Sequence, residues 1–232
     1  MDMVRVNFNH PLPLMPLPGV VLLPHSQLPL HIFEPRYRQM INRTLDEAGQ
    51  FAIAVFADES WKDNYDGNPP VKPVVCIAQI VQHQSLPQGR YTVLVRGICR
   101  ARIVEEIFPS DGRLYREARL APIEPEPIED ESLVDVRETM KHIVSADEFD
   151  HLASVNALRS YINNDEIPTA ALLDVVGVAL LNDPIRKYKL LSSADTRERS
   201  DFILKELTEL RQLIHKAELQ GSETWPKGVS PN

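Results

Sequence analysis

The residue types in this 232-residue chain that suggest chemistry are two cysteines, Cys76 and Cys99, seven histidines, and an adjacent His25-Ser26 pair. The thiols form no Cys-x-x-Cys motif and are too few for a zinc module or a disulfide framework. The histidines (His10, His25, His31, His83, His142, His151 and His215) never recur at i, i+3 or i+4, so no metal site and no cofactor are expected. His25 and Ser26 supply a base and a nucleophile by type, but a triad needs a third, orienting group, and nothing separates the pair from ordinary loop residues. Phosphate loops, G-x-G-x-x-G, G-x-S-x-G and H-E-x-x-H are all absent. The residues read as a non-enzymatic protein.

Two other groups suit recognition. Trp61 and Tyr65 stand in the polar, turn-rich segment ADESWKDNYDGNPPVKP, either as an exposed contact surface for peptides or folded back as a lid. Arg90, Arg96, Arg100 and Arg102 lie on or beside one expected strand pair, and the last three share a face if Gly97 does not flip the alternation. That stripe is the basis of an alternative, RNA-binding reading. Charge argues against it: the chain sums to -8, with 13 basic and 12 acidic residues up to Pro122 and 12 basic and 21 acidic residues beyond.

The elements that must position these groups fall into two regimes. Proline supplies 19 residues against 9 glycines, and seven (11, 13, 16, 18, 24, 29 and 35) fall in the first forty positions, which excludes continuous helix there. Residues 20–23 and 28–33 read as short extended pieces. Pro35 suits a first helical position, Tyr37, Met40, Ile41, Thr44 and Leu45 recur at helical spacing, and Gly49 supplies a stop. Strand signals follow at 51–57, 74–81, 91–96 and 98–107. A hairpin with residues 86–89 as its loop would set Cys76 opposite Cys99, a register that a bulge at Gly97 would shift; two buried free thiols are the expectation.

The acidic, proline-rich run from Ala121 to Glu131 marks a boundary. Helices are expected near 131–147, 151–163, 168–181, 184–191 and 196–219, with Asp183 as a cap and Asp195 with Glu198 at capping-box spacing. Ile203, Leu207, Leu210, Ile214 and Ala217 form a heptad-like seam, read as packing within the chain. The expected organisation is a β-rich subdomain over 1–122, a helical bundle over 123–220 and a disordered tail over 221–232. With 43% hydrophobic and 25% charged residues the chain is not intrinsically disordered. The opening MDMVRVNFNH lacks a signal-peptide core, and the near-apolar stretch 170–181 is too short to cross a bilayer, so a cytoplasmic protein without a membrane partner is expected.

The run from Leu12 to Val55, with Ile32-Phe33-Glu34-Pro35-Arg36-Tyr37 intact, resembles the opening of the Lon protease N-terminal domain family. Leu86-Pro87-Gln88-Gly89-Arg90 and the Arg96-Gly97 to Arg100 step resemble that family's hairpin, and residues 183–199 its late helical region. The resemblance spans about residues 10–218. It implies an α+β fold: a PUA-like β-rich pseudo-barrel followed by an α-helical bundle. It implies recognition of unfolded or tagged protein segments, or of a protease or chaperone partner. The ATPase and peptidase modules of full-length Lon proteases have no counterpart in this sequence, which therefore reads as a free-standing recognition module. Within the motif, Glu34 is expected to complement the helix dipole, Pro35 to preset the turn, Arg36 to pair with an acidic neighbour, and Phe33 and Tyr37 to pack beneath the helix.

Overall fold

The computed structural model describes residues 5–65, 67–123, 129–149 and 153–219. The expected tail at 221–232 lies outside them. The chain divides into two compact units, residues 1–124 and 125–232.

The first unit holds six strands and one helix: β1 (Leu12–Leu17), β2 (Gln27–Ile32), α1 (Pro35–Asp46), β3 (Gln50–Val55), β4 (Val74–Leu86), β5 (Arg90–Ile107) and β6 (Arg116–Pro122). The sheet order is β2-β5-β4-β3-β1-β6, and β6 also pairs with the second half of β5. The ring β5-β4-β3-β1-β6 is thereby closed into a small barrel, while β2 extends the sheet along the first half of β5. Closure removes two edges that would otherwise expose unpaired backbone. Four alanines, Ala52, Ala54, Ala101 and Ala118, belong to a fully buried cluster with Leu14, Val75, Ile77 and Leu120. A narrow barrel needs small side chains among large ones to fill its interior without strain.

Several expectations change in detail. Residues 20–23 form no strand, and the first strand lies earlier, at Leu12–Leu17. The two strand signals at 91–96 and 98–107 are one long strand with irregular pairing. Strand β6 went unforeseen, although Arg116, Ala118 and Leu120 alternate as buried positions. Helix α1 begins at Pro35 as expected, and Gly49, at φ +72°, donates its N–H to Thr44 O at 3.0 Å to end it.

The hairpin register decides the cysteine question. Leu86 pairs with Arg90 across a tighter turn, with Gln88 at φ +66° and Gly89 at φ +68°. Val81 and then Ile98 are extra residues in the ladder, so Ile77 pairs with Cys99 and Cys76 with Arg100. The two thiols therefore point to opposite faces and form no disulfide. Burial pushes the Cys99 thiol up to about 11. The bulge also flips the arginine stripe: Arg96 pairs with Gln79, an odd step from the Cys76 that faces Arg100, so Arg96 projects away from Arg100 and Arg102. Arg100 is buried besides. The three arginines do not share a face.

Gly97 is where a second chain segment approaches. His25 N donates to Gly97 O and Gly97 N to Ser26 O, both at 2.9 Å. A Cβ on Gly97 would stand 2.1 Å from Leu23 O. Ser26 closes the same turn, its Oγ donating to Leu23 O at 2.6 Å and accepting from Leu23 N at 3.3 Å. His25 and Ser26 are thus turn residues.

The second unit contains α2 (Val134–Val144), α3 (Ala153–Ile162), α4 (Thr169–Leu180), α5 (Pro184–Ser192) and α6 (Thr196–Leu219), with short 3-10 turns at Asp130–Leu133 and Asp147–Phe149. The long helix expected over 131–147 is thus split. Asp183 caps α5 by accepting from Ile185 N at 2.9 Å. Asp195 accepts from Arg197 N at 2.7 Å, but Glu198 turns to Ser193 Oγ and completes no reciprocal box. In α6, Ile203, Leu207 and Ile214 are fully buried, and the helix packs on α2 and α4. Buried Arg137 donates to Thr169 Oγ1 and to the carbonyls of Ile162, Asn164 and Ile167, tying α2 to the α3–α4 connection. No helix among the described residues is long and apolar enough to cross a membrane.

Gly97→Ala sets a side chain against backbone that cannot yield. It should destabilise the first unit by roughly 2 kcal/mol or more, read as a lower urea midpoint.

Candidate functional site

The Glu34-Pro35-Arg36-Tyr37 segment enters α1 at one end of the barrel and organises the loop that follows β3. Glu34 is the N-cap by position, with φ -65° and ψ 135°, but its carboxylate caps no backbone N–H. It accepts instead from Arg36 Nε at 3.0 Å and from the Tyr65 hydroxyl at 2.9 Å. The expected dipole role is replaced by a bridge across 31 residues. Arg36 donates from Nη1 to Tyr65 O at 3.0 Å, and its guanidinium carbon lies 4.8 Å from the Tyr37 ring centroid and 4.6 Å from that of Tyr65. Two aromatic faces and a carboxylate thus hold one cation.

Tyr37 is buried, and its hydroxyl donates to Pro16 O of β1 at 2.7 Å. Burial pushes the phenols of Tyr37 and Tyr65 upward from a value already well above neutral, so both are protonated donors at neutral pH. Phe33 departs from expectation. It is 60% exposed and stacks on His31 at 6.0 Å between centroids, outside the helix packing. The polypeptide turns at Glu34 to start the helix, and this leaves Phe33 on the solvent side.

Trp61 and Tyr65 fold back. Trp61 stacks on Phe56 at 5.7 Å with planes 15° apart, and Tyr65 meets both rings edge-on at 6.1 Å. Asp58 starts the short turn carrying Trp61 by accepting from Ser60 N at 2.9 Å. Both residues remain half-buried.

Behind this cluster lies a cavity of about 220 Å³. Leu14 and Pro16 of β1, Arg36 and Tyr37 of α1, and Phe56 with Gly67 and Asn68 of the following loop form part of its wall. Pro109, Leu114, Tyr115 and Arg116 complete it. Trp61 and Tyr65 do not line it; they back Phe56 and Arg36, which do. Arg116, with a side chain only 6% exposed, donates from Nη1 to Pro69 O at 2.8 Å and to Glu106 Oε2 at 3.2 Å. Helix α1 is latched to this side through Gln39, which donates to Gly112 O and accepts from Leu114 N, each at 2.7 Å. Arg43 adds bonds to the Tyr115 hydroxyl and to Glu117.

The lining sets guanidinium donors among apolar and aromatic walls and contains no nucleophile paired with a base. Among the described residues no cluster of His, Cys, Asp or Glu has the makings of a metal site. The arrangement is suited to holding a ligand. Arg116, Tyr115 and Leu114 are not singled out by the sequence; the alternation of Arg116, Ala118 and Leu120 is the available signal.

The family described as the ATP-dependent protease La (LON) substrate-binding domain matches residues 11–209. The chain belongs to this family. A Lon protease of Chloroflexus aggregans is 29% identical over 192 residues, covering 81% of this chain and 22% of the relative. One from Nitratidesulfovibrio vulgaris is also 29% identical over 192 residues, covering 81% of this chain and 23% of the relative. The chain thus spans about a quarter of the length of the curated relatives it matches. Among solved structures, the N-terminal domain of a Mycobacterium avium complex Lon protease superposes with a TM-score of 0.64 at 19% identity, covering 86% of this chain and 99% of that one. The Lon N-terminal domain protein of Xanthomonas campestris gives 0.58 at 17%, covering 84% and 98%. The α+β fold, with its PUA-like barrel and helical bundle, is that of Lon N-terminal domains.

The Glu34–Tyr65 bond should be energetically coupled. In a double-mutant cycle of Glu34→Gln and Tyr65→Phe, read by urea denaturation, the coupling energy should be about 1 kcal/mol.

Proposed function

We propose that this protein is a non-catalytic recognition module that binds exposed polypeptide segments, as the family description of a substrate-binding domain suggests. The observation that carries the reading is the cavity beside the aromatic loop: apolar walls, fixed donors and no catalytic pair. Small sites of this kind favour binding by burying apolar surface and orienting a few polar groups. Trp61 and Tyr65, half-exposed at one side of the cluster, are the proposed peptide contacts, with the cavity as the adjoining pocket. A role as client adaptor or regulator of proteolysis in trans, in the cytoplasm and with a protease or chaperone as partner, follows from the same reading. The free thiols suit a reducing compartment.

Binding of a fluorescence-labelled unfolded protein, with a folded control and a salt titration, tests the proposal. The expected result is saturable, salt-tolerant binding of the unfolded chain, weakened about tenfold or more by Trp61→Ala with Tyr65→Ala. Absence of binding to unfolded chain would overturn generic recognition. Binding of RNA that falls steeply with salt would favour the nucleic-acid alternative.

A further inference from the structure

The cavity carries more chemistry than an apolar peptide pocket requires. Two arginines stand in its wall, and neither is a free surface charge: their side chains are 18% and 6% exposed for Arg36 and Arg116. Among the described residues Arg116 commits only Nη1, to Pro69 O and Glu106, leaving Nε and Nη2 as donors. Arg36 has no donor to offer: Nε and Nη1 are bonded, and Nη2, sheltered from solvent, is ion-paired with Glu34 Oε2 at 2.9 Å. The remaining donors of Arg116, on a nearly buried side chain in the cavity wall, still reach solvent and are open to an acceptor from outside.

Size and polarity narrow that acceptor. A cavity of about 220 Å³ is smaller than the roughly 300–1,000 Å³ of small-molecule sites, so it takes one side chain or one chain end. Leu14, Phe56 and Tyr115 form a buried floor, while Asn68, Pro109 and Leu114 are exposed at the mouth. The occupant enters from solvent and meets an apolar surface together with a cation. Glu34 and Glu106 already balance the two arginines. An added anion is therefore uncompensated there, and a carboxylate, whose two oxygens match the open Nε–Nη2 fork of Arg116, adds one such charge where a dianion such as phosphate adds two.

We propose that this cavity holds a carboxylate of the bound polypeptide, met by Nε and Nη2 of Arg116, with the apolar group beside it seated against Leu14, Phe56 and Leu114. The inference rests on the recognition reading above and names the chemistry it selects. A carboxylate next to an apolar group has two sources in a polypeptide: the free C-terminus of an apolar residue, or an Asp or Glu side chain next to one.

The test uses the full 232-residue chain and fluorescence anisotropy with three labelled octapeptides that share their first seven residues, the seventh being Leu: a free acid ending in Leu, its C-terminal amide, and an amide with Glu as the last residue. The free acid should bind at least about tenfold more tightly than its amide, as expected for charge-assisted hydrogen bonds. Recovery of binding by the Glu-ended amide assigns the carboxylate to a side chain, and no recovery assigns it to the terminus. Arg116→Gln should bring the free acid down to the amide's level and leave the amide unchanged. Should that variant fail to fold, the acid and amide compared on the unaltered protein still decide. Equal binding of acid and amide, or binding of neither, overturns the proposal. The unfolded-protein assay is scored separately, so a chain that binds unfolded protein but does not discriminate acid from amide loses this inference and keeps the proposed function.

Discussion

The guanidinium of Arg36 is the constraint around which the cavity and the aromatic loop beside it are arranged. It lies against two tyrosine rings, bonds the carboxylate two residues before it and the main chain of Tyr65, and lines the cavity. Each contact alone is modest, since a cation over an aromatic ring contributes about 0.5–1 kcal/mol at exposed sites and more when desolvated. Their value lies in convergence. One side chain ties the first turn of α1 to a loop some thirty residues on, and Glu34 closes the circuit through the Tyr65 hydroxyl. The Ile-Phe-Glu-Pro-Arg-Tyr block thereby acts as architecture that holds the aromatic loop after β3 in place.

The barrel supplies the other fixed wall. Ring closure by β5 with β6 brings Arg116 next to β1, where Leu14 pairs with it directly. Small residues inside let the strands approach, and the bulges at Val81 and Ile98 let β5 serve three neighbours along its length. At Gly97 the absent Cβ admits the 23–26 turn, so this glycine answers to packing. In the helical unit Arg137 does comparable work on carbonyls at the α3–α4 connection.

Much of this was legible in sequence where the signal is local. Pro35 and Gly49 bracket α1, Asp183 caps α5, and the seam through Ile203, Leu207 and Ile214 marks the buried face of α6. Where two ladders must agree, local signals fail. The tighter turn and the extra residue at Val81 cancel, and the bulge at Ile98 then sets Cys76 opposite Arg100 instead of Cys99 and divides the arginine stripe. Phe33 was assigned to the helix underside because an aromatic beside a helix start is usually packed, yet the bend at Glu34 leaves it outside. The cavity was not legible at all: its walls come from residues near 14, 36, 56, 68 and 115, and only barrel closure brings them together.

The most direct test of the Arg36 clamp is native-state hydrogen exchange on Arg36→Ala beside the unaltered protein. The loop amides to follow are Ala57, bonded to Pro70 O at 2.9 Å, and Gly67, bonded to Asn64 O at 3.0 Å. With the clamp removed their protection should fall while Ile77 and Ala101, in the closed barrel, keep theirs. Unchanged protection at Ala57 and Gly67, or an equal loss throughout the barrel, would contradict the account.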